Sequence, residues 1–266
     1  MHNHIHSFDK ELPEFEKVAQ ECGFVKIVFQ GIEWPGSNFS QNETIMKCIE
    51  RRPDLITGFG GINLFEETDP DIVDQLRDQG FAGLKFITPE EPYHSERYYP
   101  YYERAEKLGV PCLFHLGIVS PASIVNLRVD CNHMRPIYLD TIARDFKDLT
   151  IIGAHLGNPW YEEATMSMRW NPNLYLDITG STLKKKKPSF IGDLLWWSDT
   201  TDYTSPKWSS PWEQIVFGTD VPPARCAGLV EDYENLMDTL GVSEELQNKV
   251  FFETAAGMLR KVGVDV

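Results

Sequence analysis

The stretch LITGFGGINLFEETDPDIVDQLRDQGFAGLKFITPEEPYHSERYYPYYERAEKLGVPCLFHLG, residues 55–117, contains three short apolar runs at 55–59, 83–87 and 111–114, separated by longer amphipathic segments. Runs of this length bounded by turn formers read as buried strands, and the segments between them read as helices. The runs start about 28 residues apart, the length of one strand–helix unit. The same pattern continues outward, with strand-type runs at 25–29, 150–154, 174–178 and 215–217. The N-terminal segment counts as the first, which makes eight. The helical period is clearest where Phe15, Val18, Ala19 and Cys22 stand at i, i+3, i+4 and i+7. Eight such units predict an α/β fold, a closed (β/α)8 TIM barrel with a shortened first strand, formed by residues 1–266 as one domain. No Gly-, Ser- or Pro-rich linker divides the chain.

Composition narrows the function. Hydrophobic residues make up 42% of the chain and charged residues 24%, which suits a packed soluble protein and excludes a disordered or fibrous one. Lys and Arg number 25 against 40 Asp and Glu, a formal net charge of −15. A nucleic-acid or anionic-membrane partner is not expected from such a balance, because neutralising phosphates takes a basic surface. No apolar run approaches the roughly 18 residues of a spanning helix, and MHNHIHSFDK lacks the basic and apolar regions of a secretory signal, so a cytoplasmic protein is expected. The five cysteines are scattered without a CxxC pair and are expected to be reduced. The four lysines at 184–187 read as a solvated loop, and the aromatic stretch 196–212 reads as a lid over a pocket. A homodimer is compatible with this composition.

The chemistry-bearing residues fall at strand ends. In MHNHIHS the period of a strand puts His2, His4 and His6 on one face, where two neutral imidazoles two residues apart reach one metal ion. PCLFHLG ends an apolar run in His115, TIIGAHLG ends one in His155, and IVFGTD ends one in Asp220. Barrel strands deliver active-site side chains at this position. Two histidines and an aspartate at equivalent strand ends, added to an HxH pair, point to a metal site. No GxSxG nucleophile motif occurs, and GFGG at 58–61 lacks the spacing of a dinucleotide loop.

Taken in order, HNHI near the start, GLKF at 83–86, YYPYYERAEKLGVPCLFHLG at 98–117, IIGAHLGNPW at 151–160 and VFGTDVPP at 216–223 resemble the amidohydrolase superfamily, and within it the amidohydrolase-2 branch of hydrolases, decarboxylases and hydratases. The resemblance implies a (β/α)8 barrel holding one divalent ion, with Zn2+ expected. Its ligands would be His2, His4, His115 and Asp220, and His155 would act as the acid/base group. The pair His4 and His6 is the alternative to His2 and His4. The family's DxHxH motif would place its Asp ahead of Met1, and ETAAGML at 253–259 departs from the family's GNAxxL.

With three imidazoles and a carboxylate, such an ion acidifies water to a pKa of roughly 7 and polarises a carbonyl. The expected function is hydrolysis of a small carboxylate, lactone or amide. The alternatives are a nonoxidative decarboxylase on the same site and a barrel that only binds a ligand. Lys85, Trp160 and Arg225 are the expected substrate-binding residues. Lys85 is read as facing substrate or an acidic neighbour rather than as a carboxylated bridge, and His94 and His133 are read as solvent-exposed. A barrel strand takes about five residues, yet only Met1 precedes His2, so an apolar run upstream of Met1 is expected in the natural reading frame.

Overall fold

Each apolar run that is hydrophobic on consecutive positions becomes a strand buried on both faces. In the computed structural model, which describes residues 2–34, 39–66, 69–120, 129–180, 186–197 and 205–266, these strands are β1 (Ile27–Gln30), β2 (Ile56–Ile62), β3 (Gly83–Phe86), β4 (Cys112–Phe114), β5 (Ile151–Gly153), β6 (Leu174–Asp177) and β7 (Ile215–Val216). All neighbours pair in parallel and in sequence order, with registers such as Ile27 opposite Ile56 and Leu84 opposite Cys112. Parallel neighbours cannot be joined by a tight turn, so a crossover helix follows each of the first six strands. These are α2 (Asn42–Arg51), α3 (Ile72–Asp78), α4 (Tyr99–Leu108), α5 (Ile137–Asp145), α6 (Tyr161–Trp170) and α7 (Pro188–Leu194). Ahead of β1 lies α1 (Phe8–Cys22). After β7 come α8 (Cys226–Thr239), α9 (Glu244–Asn248), a π-helical turn at Lys249–Glu253 and α10 (Thr254–Lys261).

The helices pack their apolar stripes on the sheet. On α1, Leu12, Phe15, Val18 and Ala19 are buried, and the helix stops at Gly23, whose φ of 70° is a left-handed conformation that glycine adopts without strain.

The two edges of the seven-stranded sheet are joined by the N-terminal segment. His2 pairs with Gly218 just past β7, and Asn3 pairs with Phe29 in β1, both in parallel. The carbonyl of His2 accepts from Thr219 N at 2.9 Å and Asp220 N at 3.1 Å, and that of Asn3 accepts from Gln30 N at 3.0 Å. The eighth strand position is thus filled by two residues, and the barrel closes on them. Ile5 follows, fully buried, and His6 turns outward.

Several details differ from the sequence reading. Val25 is 57% exposed, and the strand there starts at Ile27, because 23–26 is the turn that leaves α1. The aromatic stretch is not a lid over its described part. Trp197 and Trp212 are core residues, and Trp208 is fixed near the start of β6 by donating Nε1–H to Pro172 O at 3.1 Å. Residues 198–204 and the lysines at 184–185 lie outside the described residues. All five cysteines are free, with Cys48, Cys112 and Cys226 buried. Among the described residues, no helix is long and apolar enough to cross a membrane.

The closure demands a glycine. A Cβ on Gly218 would lie 2.8 Å from Thr179 Cγ2 and 2.9 Å from His2 Cβ. Gly218→Ala is expected to cost about 1–3 kcal/mol and lower the thermal midpoint by several degrees, read by calorimetry. An unchanged midpoint would mean that the closing segment is not tightly held.

Candidate active site

The ends of six strand positions converge at one pole of the barrel. The closing segment brings His2 and His4, β3 brings Lys85, and β6 ends in Asp177. His115 follows β4, His155 lies two residues past β5, and Asp220 lies four past β7. His155 and Asp220 have φ of 61° and 46°, left-handed values that are unfavourable for residues with a side chain. Hydrogen bonds hold both in place. His155 N donates to Asp177 Oδ1 at 2.9 Å, and Asp220 N donates to His2 O at 3.1 Å.

Buried Asp177 sets the protons of the site. Its Oδ2 accepts from His2 Nδ1 at 2.8 Å, while Oδ1 accepts from the amides of His155 and Thr179 and from the Thr179 hydroxyl. With four donors around it, the carboxylate is already engaged by hydrogen bonds on both oxygens. Burial alone would raise its pKa, but the neighbouring His2 and these hydrogen bonds hold it well below the usual carboxylate range. Because the Thr179 hydroxyl gives its one proton to Asp177, it accepts from His155 Nδ1, 2.8 Å away. His4 Nδ1 lies 3.3 Å from Gln30 O and donates to it. These tautomers follow from the hydrogen-bond network.

The consequence lies on the other ring nitrogens. His2 Nε2 and His4 Nε2 are 3.3 Å apart, and with both Nδ1 atoms protonated no proton lies between them. Two lone pairs aimed at each other repel unless a cation binds both. Two imidazoles sharing a tetrahedral ion at about 2.0–2.1 Å have their nitrogens about 3.3–3.4 Å apart. Asp220 Oδ1 lies 3.9 Å from His4 Nε2, and among the described residues His2, His4 and Asp220 form one of two groups whose ligand atoms lie within 4.8 Å of one another. The other, His2, His155 and Asp177, is the hydrogen-bonded network just described. His115 Nε2 is buried with no hydrogen-bond partner, and its ring stands 4.8 Å from that of His155. The donor set fits a divalent cation.

Electrostatics favour the neutral form of His4, His115 and His155. Burial first, then the other positive groups, push His4 and His115 well below the ordinary 6.5. His155 is pushed down to about 4 by burial, which Asp220 partly offsets. Lys85 is completely buried, its Nζ has no hydrogen-bond partner, and burial pushes it down to about 8 against the pull of Asp177 and Asp220.

The remaining candidates sit elsewhere. Trp160 precedes α6 and stacks under the Arg135 guanidinium, 5.3 Å from the ring centre. Arg225 is exposed at the start of α8. His6 is exposed, with its ring 4.8 Å from that of Phe39. His94 and His133 are half-buried rather than exposed, because His94 stacks on Tyr138 at 4.4 Å and His133 N donates to Asp130 O. Asp177 and Thr179 were missed by the sequence reading, although LYLD is an apolar run ending in a carboxylate, the same pattern that marked Asp220.

Two outcomes are expected. Asp177→Asn turns an acceptor into a donor facing donors, so metal affinity should fall about 10- to 100-fold along with stability. Unchanged affinity by metal titration would contradict the proton assignment. Between pH 6.5 and about 4 the unfolded chain binds more protons than the native state at His155. Metal-stripped protein should therefore have its full stability above pH 6.5 and lose this part of it as pH falls towards about 4, with His4 and His115 acting in the same direction. A thermal midpoint flat across that window would contradict it.

Comparison with known proteins agrees with the barrel fold. A family model described as Amidohydrolase matches residues 6–261. No curated protein matches the chain. Among solved structures, an uncharacterized TIM-barrel protein from Bordetella bronchiseptica superposes with a TM-score of 0.69 at 21% identity, covering 96% of this chain and 84% of that one. A probable 2-pyrone-4,6-dicarboxylic acid hydrolase from Acinetobacter baumannii has a TM-score of 0.61 at 15% identity, covering 94% and 88%. The 5-carboxyvanillate decarboxylase of Sphingomonas paucimobilis has a TM-score of 0.63 at 12% identity, covering 92% and 82%. At these identities the structures show the shared barrel fold.

Proposed function

Because this chain belongs to the amidohydrolase family, we propose that it is a metal-dependent hydrolase acting on a small carboxylate, lactone or amide. The observation that carries the reading is the convergence of two imidazole nitrogens, His2 Nε2 and His4 Nε2, 3.3 Å apart beside Asp220. In this reading His2, His4, His115 and Asp220 hold one divalent ion, with zinc expected for an imidazole-rich set. Bound there, the ion supplies Lewis acidity, which polarises a substrate carbonyl and acidifies water.

The residues of the chain do the rest. Asp220 Oδ1 faces His4, and its Oδ2 lies 3.8 Å from His155 Nδ1, so the carboxylate reaches both the ligands and the acid/base group. Asp220 takes the proton released by the attacking water. His155 keeps Nδ1–H on Thr179 and offers a bare Nε2, which takes over from Asp220 the proton released by the water and passes it to the leaving group. The charge it gains is stabilised through Thr179 by Asp177. Lys85 places a positive charge among the strand ends for an anionic group of the substrate.

Asp220→Asn is expected to abolish turnover on a panel of lactones, amides and carboxylates while the circular dichroism spectrum stays that of a folded protein. His155→Asn should retain the metal and lose about 10²- to 10⁴-fold in kcat. Loss of the ion in that variant would make His155 a ligand instead. Product formed in ¹⁸O water should carry one labelled oxygen, and release of carbon dioxide without that label would overturn the hydrolytic reading in favour of decarboxylation.

A further inference from the structure

A lysine stands inside the barrel on β3. Phe86 stacks on Phe114 and meets Tyr102 of α4, so it faces the helices, and by the two-residue period of a strand its neighbour Lys85 faces the interior. In register Lys85 lies beside Gly61 of β2 and Leu113 of β4. His115 N donates to Phe86 O at 2.8 Å, which sets the histidine level just above Lys85.

The amine has no partner there. Lys85 is the one buried lysine among the described residues, and its Nζ makes no hydrogen bond. The two carboxylates that act on it are otherwise engaged. Asp177 is held by four donors, and Asp220 faces His4 and His155 at 3.9 and 3.8 Å. An ammonium group in such a place loses hydration without gaining a counter-ion, which favours the free amine. Burial accordingly pushes Lys85 down to about 8, so a share of it is unprotonated near neutral pH while the rest carries the charge used in the proposed hydrolysis. The side chains of His4, His155 and Asp220 stay 10%, 12% and 26% exposed, so solvent meets this pole.

We propose that Lys85 Nζ is a nucleophile that forms an imine with small aldehydes or ketones entering from the histidine pole. Desolvated lysines beside other positive groups are the ones that attack carbonyls, because the free amine keeps its lone pair. That lone pair forms a bond to the carbonyl carbon while the π electrons of C=O move to oxygen. Nitrogen gives up one proton and oxygen gains one, which makes a carbinolamine. Loss of the second nitrogen proton together with the hydroxyl group, as water, leaves C=N. One water is released and nothing is oxidised or reduced. The Nε2 of His155 and the carboxylate of Asp220 lie at the same pole to take and return these protons. This activity does not depend on the hydrolytic reading.

The test uses the full chain stripped of metal, incubated with glycolaldehyde or with pyruvate and then with sodium borohydride, which reduces an imine to a stable secondary amine. Peptide mass spectrometry should find the adduct on Lys85 with at least about a tenfold preference over the exposed Lys47 and Lys187. Unfolding in urea before the incubation should abolish the preference. Lys85→Arg should lose the adduct, and Lys47→Arg should keep it. Adducts on Lys47 and Lys187 with none on Lys85 overturn the proposal, and so does a preference for Lys85 that survives in urea. Because no ion is present and no hydrolysis is read, failure of the hydrolytic reading leaves these outcomes unchanged.

Discussion

The carbonyl oxygen of His2 accepts hydrogen bonds from the amides of Thr219 and Asp220, and the geometry of both barrel and site hangs on this junction. It ties the end of β7 to the N-terminal segment, closes the ring of strands, and fixes His2 and Asp220, two residues able to ligate a cation, on either side of one pair of hydrogen bonds. Asp220 has a left-handed backbone and His2 has no regular strand around it. Each is held where it is by the other. Fold closure and ligand placement are therefore one event, which explains why Gly218, the residue opposite His2, has no room for a side chain.

A second constraint is proton economy. Asp177 accepts four hydrogen bonds, and through them it decides which nitrogen of His2, and by way of Thr179 which nitrogen of His155, carries a proton. The carbonyl of Gln30 does the same for His4. The Nε2 atoms of His2 and His4, not held by these acceptors, then face each other 3.3 Å apart. A site built this way is poised for a cation above the titration range of its histidines and resists acid poorly below it.

Much of this was legible in the sequence, for a physical reason. Parallel strands buried on both faces appear as uninterrupted apolar runs, and the first polar residue after each run marks the strand end, so His115, His155 and Asp220 stood out. The family resemblance, with its implied metal, rested on those same residues, and the match over residues 6–261 establishes the family. The partner network was less legible. Asp177 ends its run as clearly as Asp220 ends another, but an aspartate that holds ligands in place looks no different in sequence from one that binds the metal. The aromatic stretch misled because tryptophans beside prolines and serines read as a mobile cover, whereas Trp197 and Trp212 are buried in the core. His94 was read as exposed because nothing local in the sequence shows that Tyr138 stacks on it.

The central claim is that His2 and His4, and not His6, aim bare nitrogens at one cation. Titration of metal-stripped protein with Co2+, followed by visible absorption, tests it directly in the parent chain and in His2→Asn, His4→Asn and His6→Asn. The account predicts one tightly bound ion per chain with the absorption of a low-coordinate site in the parent and in His6→Asn, and its loss in the other two variants. Binding that survives in His2→Asn but disappears in His6→Asn, or a parent chain that binds no cobalt, would contradict it.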